Sequence, residues 1–447
     1  MRAAQPPQVT GYKMQFIKDQ APFRYSDIDS TICSQLVAID SSDSVGTIMR
    51  LTRPNETGLG YLSDFVNEEG TVLIQTDGAC LRLNDTTTYA VLGAISRARA
   101  IHKRCTAVFE VSDSTGQRYT IKFSWQVVTR IDEAKLVPLA GEHGIEHVAK
   151  VAYSQDIRKS LEGHRSGLPP DTRATVPLEN QCPHVLVRPI SKPLYEVENP
   201  EHFLKASLSL LEAIHNLYVR GKIMHGNVSV NNMMVRAERP WEGILLDLDL
   251  ARDEQTSRQG LTSLHRTGTL PFMALDLLHD QNDYPHYHRH DLESLVYVLV
   301  WITENCEDGS MVQPPLFNEW CEGDWSTVRL NKTGFLLFDM DYWHFSPNPP
   351  YEFLGNLLLQ LRSILGQAQI SARFESHSTN IRPPNDPPPV DEGYVESSSG
   401  QRRNGQTSAD TSMPRAVLQL PENLPGFDYD ILRSKLKATL DSLGSPV

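Results

Sequence analysis

Two stretches of the chain have the hydrophobic periodicity of helices. In PEHFLKASLSLLEAIHNLYVRG (200–221) apolar and small residues recur every three or four positions, which predicts an amphipathic helix. Pro200 stands where proline is tolerated at a helix start, and Gly221 follows the last turn as a C-cap. HDLESLVYVLVWI (290–302) is apolar on nearly all sides, which predicts a central helix. The predicted buried face of the first helix consists of Phe203, Ser207, Leu210, Leu211, Ile214, Leu217 and Tyr218.

The residues before these helices alternate and turn like strands. TVLIQTDGACLRL (71–83) predicts one strand region, and residues 105–125 predict a hairpin whose connection is DSTGQ (113–117). HVLVRPI (184–190) predicts another strand. Between them, RIDEAKLVPLAG (130–141) has a helical pattern that ends at a glycine.

The order of these elements predicts a bilobal α+β architecture, a β-rich lobe followed by a helical lobe with a ligand cleft between them. Residues 371–415 are too poor in large apolar side chains to offset the entropy of ordering, which predicts a disordered linker. The predicted segments are an N-terminal extension (1–29), the β-rich lobe (30–150), a connecting loop (151–184), the helical lobe (185–370), the linker (371–415) and a tail that could form an amphipathic helix (416–447).

Composition narrows the function classes. The 447 residues carry a formal net charge of −13, which argues against nucleic acid as the partner of the whole chain. No apolar run reaches the ~18 residues of a membrane helix, and the N-terminus lacks a secretory signal. The six cysteines are scattered without a C-x-x-C pair, which favours free thiols. We therefore expect an intracellular protein, cytoplasmic or nuclear.

Four polar residues stand where phosphate or metal chemistry could use them. Asp247 ends the apolar strand GILLD, fifteen positions after Asn232, and a carboxylate beside an amide oxygen can form a magnesium pair. Taken singly, a role in capping a turn or stabilising a loop is the more common one for each. Lys122 interrupts the strand-like YTIKFSW, where it is either solvated or reaches into a cleft to pair with phosphate and with Glu133.

The order of these parts resembles that of protein kinases, and further segments make the resemblance specific. RTGTLPFMALDLL (266–278), HDLESLVYVLVWI (290–302) and residues 316–336 look like the hallmark segments of the fungal-type protein kinase family. ETGLGYLSDF (56–65) and YTIKFSW resemble its N-terminal portion. The resemblance covers roughly residues 30–365 and implies the protein kinase fold with ATP and Mg²⁺ as ligands.

The resemblance implies roles for five residues of the nucleotide site. Lys122 would hold the α- and β-phosphates, and Glu133 would lock that lysine. Asn232 and Asp247 would bind magnesium, and Val108 would pack on the adenine. The segment that should form the phosphate loop, residues 101–111, contains no glycine, which predicts weaker or unusual nucleotide binding because glycines let backbone N–H groups approach phosphate.

IMHGNVSVNNMMV (223–235) resembles the catalytic loop of protein kinases. It keeps the scaffold residues of the family pattern but lacks the aspartate that serves as the catalytic base. His225 would brace the loop, Asp291 would anchor it, and Asp276 would replace a structural glutamate. Asn227 stands where the family pattern has the catalytic aspartate, and Gly226 replaces the preceding arginine. An amide oxygen still accepts a hydrogen bond but cannot take a proton, and general-base help is worth roughly 10²–10⁴-fold. Phosphoryl transfer is therefore expected to be slow.

Three functions remain open from the sequence. The first is a Mg-ATP-dependent protein serine/threonine kinase of low activity, whose protein substrate the sequence does not reveal. The second is a pseudokinase that works by binding partners. The third is a small-molecule phosphotransferase, since HGN followed by LLDLDLA also resembles the loop of aminoglycoside and choline kinases; the segments 266–278 and 290–302 argue against it. The four histidines of residues 279–290 match no structural zinc motif and are interpreted as structural.

Overall fold

The computed structural model describes thirteen stretches of the chain, and all structural statements below concern these residues. They are residues 12–14, 20–26, 31–38, 65–66, 80–83, 87–97, 106–128, 130–156, 181–253, 268–279, 285–337, 347–380 and 421–444. Residues 101–105 of the predicted phosphate loop and most of the predicted linker lie outside them.

The described strands within residues 12–189 form two separate antiparallel sheets, of which the seven-stranded one builds the N-terminal lobe. A three-stranded sheet contains β1 (Tyr12–Met14), β2 (Gln20–Ser26) and β3 (Thr31–Ala38). A seven-stranded sheet has the order β4-β5-β6-β7-β8-β10-β9. Its strands are β4 (Phe65–Val66), β5 (Cys80–Arg82), β6 (Thr88–Arg97), β7 (Ala107–Ser112), β8 (Arg118–Val127), β9 (Tyr153–Asp156) and β10 (Gln181–Pro189). The predicted hairpin is confirmed as β7 and β8, with Asp113 accepting hydrogen bonds from the N–H groups of Thr115 and Gln117 in the turn.

The predicted lobe boundaries need a correction. The N-terminal lobe was predicted to end at residue 150, with a loop over 151–184 and the helical lobe from 185. Instead β9 and β10 complete the seven-stranded sheet, since β10 pairs with β8 over its full length and with β9 on its other side. A run of alternating buried residues such as HVLVRPI does not reveal which sheet the strand joins, so the assignment to the second lobe was wrong.

The C-terminal lobe is mainly helical and also contains short strands. Its helices are α2 (Pro200–Val219), α3 (His288–Asn305), α4 (Trp325–Leu337), α5 (Gly355–Asn380) and α6 (Tyr429–Leu443). Helix α1 (Glu133–Glu142) follows β8, and its Leu136 and Ala140 are buried in the core of the helical lobe. The strands of the C-terminal lobe are β11 (Ser191–Pro193), β12 (Ile223–Met224), β13 (Met233–Arg236), β14 (Arg239–Leu245), β15 (Arg252–Asp253), β16 (Cys306–Glu307) and β17 (Ser310–Met311). Together with the β-rich lobe they give the predicted bilobal α+β fold.

Helix α2 forms as its periodicity predicted. Asn199 caps its N-terminus by accepting a hydrogen bond from the His202 N–H group (2.9 Å), and Pro200 occupies the first turn. The apolar positions of its predicted face are buried, apart from the half-buried Tyr218. At the C-terminal end the left-handed residue is Lys222 (φ 56°), not Gly221.

Helix α3 lies in the centre of the lobe, as predicted, with residues 289–305 all buried. Strand β14 packs directly on α2 at Gly243. A Cβ atom at Gly243 would lie 2.2 Å from the carbonyl oxygen of Ala206, so only glycine allows this approach. That contact fixes the strand whose end carries Asp247.

Helix α5 continues to Asn380 and so includes the first ten residues of the predicted linker, 371–380. Of these, Ala372 is buried in the same core as Leu365 and Ala368. The C-terminal tail forms α6, whose Leu432 and Leu436 are buried in the same core. The described cysteines are free thiols. Within the described residues, the helices are too short or too polar to pass through a bilayer.

Candidate active site

The ε-ammonium group of Lys122 lies between two carboxylates at the junction of the lobes. Lys122 is on β8, and its Nζ donates to Asp247 Oδ1 and to Asp249 Oδ2, the latter at 2.5 Å. The two aspartates follow β14 of the helical lobe. Lys122 is 125 positions from Asp247 and 127 positions from Asp249 in the sequence, so only the tertiary fold brings them together.

Glu133 is close to this cluster but has a different ion-pair partner. A ligand atom from each of Glu133, Asp247 and Asp249 lies within 4.8 Å of the others. The Glu133 carboxylate, however, accepts a hydrogen bond from Arg188 Nη2 on β10. Arg188, on the strand beside β8, is thus the residue that forms the ion pair with Glu133 in this structure.

Glu133 is the first residue of α1, directly after the N-cap Asp132. Its side chain is 1% exposed, and burial raises the pKa of Glu133 to about 7 although Arg188 acts in the opposite direction. The second carboxylate oxygen, Oε2, is buried without a hydrogen-bond partner among the described residues. Such an oxygen is a plausible ligand for a cation or a water molecule.

Asp291 on α3 anchors the backbone of the catalytic loop by accepting two hydrogen bonds from it. Asp291 Oδ2 accepts from the His225 N–H group (2.8 Å), and Oδ1 accepts from the Gly226 N–H group (3.0 Å). Gly226 has φ +72°, and a Cβ atom there would lie 2.7 Å from the Leu250 carbonyl oxygen. The arginine of the family pattern would not fit this backbone without strain.

His225 is a buried neutral imidazole that fixes the shape of the loop. Its Nε2 donates to the Leu246 carbonyl oxygen (2.8 Å), and its Nδ1 accepts from the Asn227 N–H group (3.2 Å). Burial lowers the pKa of His225, in spite of the nearby Asp291. His225 thereby connects the loop to the residue that precedes Asp247.

The side chain of Asn227 contacts the segment that contains Thr269. Its Oδ1 accepts a hydrogen bond from the Thr269 hydroxyl group (2.9 Å), and its backbone carbonyl accepts from Asn232 Nδ2 (2.9 Å). Since the Asn232 nitrogen is used in this way, Oδ1 is the atom of Asn232 that can bind a cation. The backbone carbonyl of Asn232 accepts from the Leu246 N–H group (2.9 Å), which places this amide beside Asp247 in the fold.

Asp247 itself has a left-handed backbone (φ 68°, ψ 68°) and a partly exposed side chain. A non-glycine residue in this region is uncommon and often marks a functional position. Asn232 Oδ1 and the Asp247 carboxylate are hard oxygen donors, which is what Mg²⁺ requires. With the unpartnered Glu133 Oε2 nearby, the residues fit a divalent cation.

Val108 lies on the same face of the sheet as Lys122, because the two residues are directly opposite each other in the β7–β8 pair. It is half-buried. This placement is compatible with packing against a planar base beside the lysine. Residues 101–105 of the segment that should cover the phosphates are outside the described residues.

Asp276 lies away from this cluster and forms a buried ion pair with Arg289 of α3 (2.7 Å). Nε of Arg289 also donates to the Pro421 carbonyl oxygen (3.0 Å). The nearby histidines have structural contacts. His286 pairs with Asp291 (3.0 Å), His288 stacks on Tyr218, and His290 Nδ1 accepts from the Tyr287 N–H group (3.0 Å).

Sequence reasoning missed Arg188, Asp249 and Thr269 as site residues. Asp249 is part of the quoted LLDLDLA segment, but its position two residues after Asp247 did not indicate a role for it. Thr269 lies in one of the hallmark segments. Arg188 carried no signal, because a charged residue at the end of a strand is usually solvated.

A model of the family described as fungal protein kinase matches residues 30–303, more than half of the chain. Among solved structures, the chain is similar to vaccinia related kinase 3, with 14% sequence identity, a TM-score of 0.45 and coverage of 84% of this chain and 94% of that chain. The search of curated protein sequences returned no match.

Proposed function

Because the chain belongs to the fungal protein kinase family, we propose that it binds Mg-ATP in the cleft between its lobes and transfers a phosphoryl group slowly to serine or threonine hydroxyls of a protein. The observation that carries this proposal is the meeting of Lys122 with Asp247. A cation from the β-rich lobe and a hard oxygen ligand from the helical lobe share one small volume. Phosphoryl transfer needs these parts in one place.

Each residue has a physical task in this proposal. Lys122 would exchange part of its carboxylate contact for the phosphates of the nucleotide. Asn232 Oδ1 and Asp247 would hold magnesium, which supplies charge neutralisation on the phosphates when bound. Val108 would pack against the adenine on the lysine face of the sheet.

Asn227 would orient the acceptor hydroxyl through its side-chain oxygen, which already accepts a hydrogen bond from Thr269. It cannot remove the hydroxyl proton, so that proton must pass to solvent or to a phosphate oxygen. Positioning and electrostatic stabilisation remain, and these are the larger contributions in phosphoryl transfer. The activity is therefore low rather than lost.

The experiment is a thermal shift titration with ATP, with and without magnesium. We expect Mg-ATP to raise the Tm of the wild-type chain, and Lys122→Met and Asp247→Asn to abolish the increase. Glu142→Gln, at the exposed end of α1, is the matched control and should respond like the wild type. No shift in the wild type at millimolar Mg-ATP would contradict nucleotide binding.

The second candidate is a pseudokinase that acts by binding a partner. Asn227 favours it, because the residue cannot act as a base. The pairing of Lys122 with Asp247 and Asp249 also favours it, since these charges satisfy one another without a nucleotide. The absence of a thermal shift, together with the absence of phosphate transfer by the Asn227→Asp variant, would support this candidate over the first.

A further inference from the structure

We propose that Asp249, and not Glu133, is the carboxylate that positions Lys122, and that Arg188 replaces the lysine as the partner of Glu133. Asp249 and Arg188 are thus positioning residues, which act on the nucleotide site through Lys122 and Glu133. This inference rests on the proposed function in one respect, namely that Lys122 binds phosphate. The contact geometry on which it is built does not depend on a ligand.

The first observation is the way in which Asp249 is held. Its Oδ2 accepts from Lys122 Nζ (2.5 Å), and its Oδ1 accepts from Gln126 Nε2 (2.8 Å). Gln126 and Lys122 are four residues apart on β8, so their side chains point to the same face of the sheet. The Asp249 side chain is only 2% exposed. A buried carboxylate with hydrogen bonds on both oxygens is a fixed anchor for the lysine.

Asp247 is less suited to the same task. Its side chain is 15% exposed, and it is the residue that would turn toward a metal ion. When Asp247 binds a cation, its attraction for Lys122 weakens, since the negative charge is shared. Asp249 can keep its contact with Lys122 in both states, because Gln126 holds the other oxygen.

The second observation is the separate pairing of Glu133. Leu186 is opposite Lys122 in the β8–β10 pair, and Arg188 follows two residues later on the same face. Arg188 and Glu133 are both almost fully buried and form an ion pair there. A guanidinium group carries its charge at any accessible pH, so Arg188 compensates the Glu133 carboxylate without help from Lys122.

The consequence is that Lys122 is held by the Asp249 side chain and not by the Glu133 side chain. Helix α1 packs against residues 248–250, so the backbone of the helix supports the segment that carries Asp249, while its Glu133 carboxylate is paired with Arg188 on β10. Removal of Asp249 should therefore disturb the lysine more than removal of the Glu133–Arg188 pair. This ranking is opposite to the one expected if Glu133 were the lock.

The test uses the full-length protein and two readouts. Variants are Asp249→Asn, Gln126→Leu, and the double variant Glu133→Gln/Arg188→Met, which removes both charges so that neither remains buried alone. The first readout needs no nucleotide: the rate at which Lys122 is acetylated by acetic anhydride, followed by mass spectrometry. A lysine that has lost its anchoring carboxylate is more mobile and more accessible to the reagent, so it reacts faster.

We expect Asp249→Asn to accelerate acetylation of Lys122 by about tenfold or more, in line with the loss of a hydrogen bond between charged groups. Gln126→Leu should have a smaller effect in the same direction. The double variant should change the rate less than Asp249→Asn. A larger acceleration in the double variant than in Asp249→Asn would overturn the proposal, and so would equal rates in Asp249→Asn and the wild type.

The second readout is the Kd of Mg-ATP, and we expect the same ranking of the losses. Thermal unfolding of each variant identifies any that fail to fold, and Gln126→Leu then replaces Asp249→Asn as the variant that decides. If the wild type binds no Mg-ATP, the proposed function fails, whereas the acetylation rates still decide what positions Lys122.

Discussion

The hydroxyl group of Thr269 donates a hydrogen bond of 2.9 Å to the side-chain oxygen of Asn227. Thr269 follows Gly268, which has φ +143°, and a Cβ atom at Gly268 would lie 2.8 Å from the Met273 side chain. The segment that begins at Gly268 is thus packed closely, and Thr269 fixes the side chain of Asn227, the residue proposed to stand in place of a catalytic base. An aspartate could accept the same hydrogen bond.

The first prediction follows from that contact. Asn227→Asp should retain the loop geometry and supply the missing base, so phosphorylation of a generic protein substrate should accelerate by about 10²–10⁴-fold. The measurement is incorporation of radioactive phosphate under single-turnover conditions. Asp247→Asn in the Asn227→Asp background is the control and should remove the gain. An unchanged rate with intact Mg-ATP binding would show that more than the base is missing.

The second prediction concerns the anchor of the catalytic loop. Asp291→Asn replaces one acceptor oxygen by an NH₂ group that opposes a backbone N–H of His225 or Gly226. Leaving a buried donor unsatisfied should lower the free energy of unfolding by about 2 kcal/mol. Urea denaturation measures the change. Asp430→Asn on the exposed surface of α6 is the matched control and should change the value by less than about 0.5 kcal/mol.

The third prediction tests the backbone of Gly226. Gly226→Ala combines a positive φ with a Cβ atom 2.7 Å from the Leu250 carbonyl oxygen, whereas Gly116 has a positive φ and no atom within 4 Å of the Cβ position. Gly116→Ala should cost about 1 kcal/mol through φ alone, and Gly226→Ala should cost more. Equal losses in chemical denaturation would contradict the close contact.

The fourth prediction is a pH dependence at His288. Burial lowers the pKa of His288 to about 4, against the attraction of Asp291, while the unfolded chain has a value near 6.5. Because the folded value is depressed, the stabilising contribution is complete above pH 6.5 and is lost as the pH falls toward 4. Over that interval the free energy of unfolding should fall by up to roughly 3 kcal/mol on account of this residue.

The measurement is urea denaturation of the wild type and of His288→Phe between pH 7 and 4. Phenylalanine keeps a ring that can stack on Tyr218 but does not titrate. The variant should lose less stability on acidification than the wild type. His143→Phe, at the exposed end of α1, should follow the wild type. Parallel curves for His288→Phe and the wild type would refute the assignment.

The fifth prediction concerns the C-terminal helix. Leu436 of α6 is 1% exposed and lies in the core with α2, whereas Leu443 on the same helix is 40% exposed. Leu436→Ala should lower the free energy of unfolding by about 2–5 kcal/mol, and Leu443→Ala should have little effect. If the two variants unfold at the same urea concentration, α6 is not part of the cooperative unit.

Much of the secondary structure could be predicted from local patterns. The stripe of α2, the β7–β8 hairpin and the buried α3 depend on residues that are close in sequence, and each is confirmed. The assignment of β10 to the helical lobe failed, because strand pairing is a contact between distant residues. The end of α5 was placed too early for a similar reason: Ala372 is buried in a core whose other members are distant in sequence.

The sequence by itself determined which residue types were available for a kinase-like site and in which order they occur, down to the amide at position 227. Only the tertiary structure decided which charges meet: Lys122 contacts Asp247 and Asp249, while Glu133 contacts Arg188. The physical reason is that an ion pair depends on distance through space. The local sequence patterns between these partners do not reveal how the sheet and the lobes pack together.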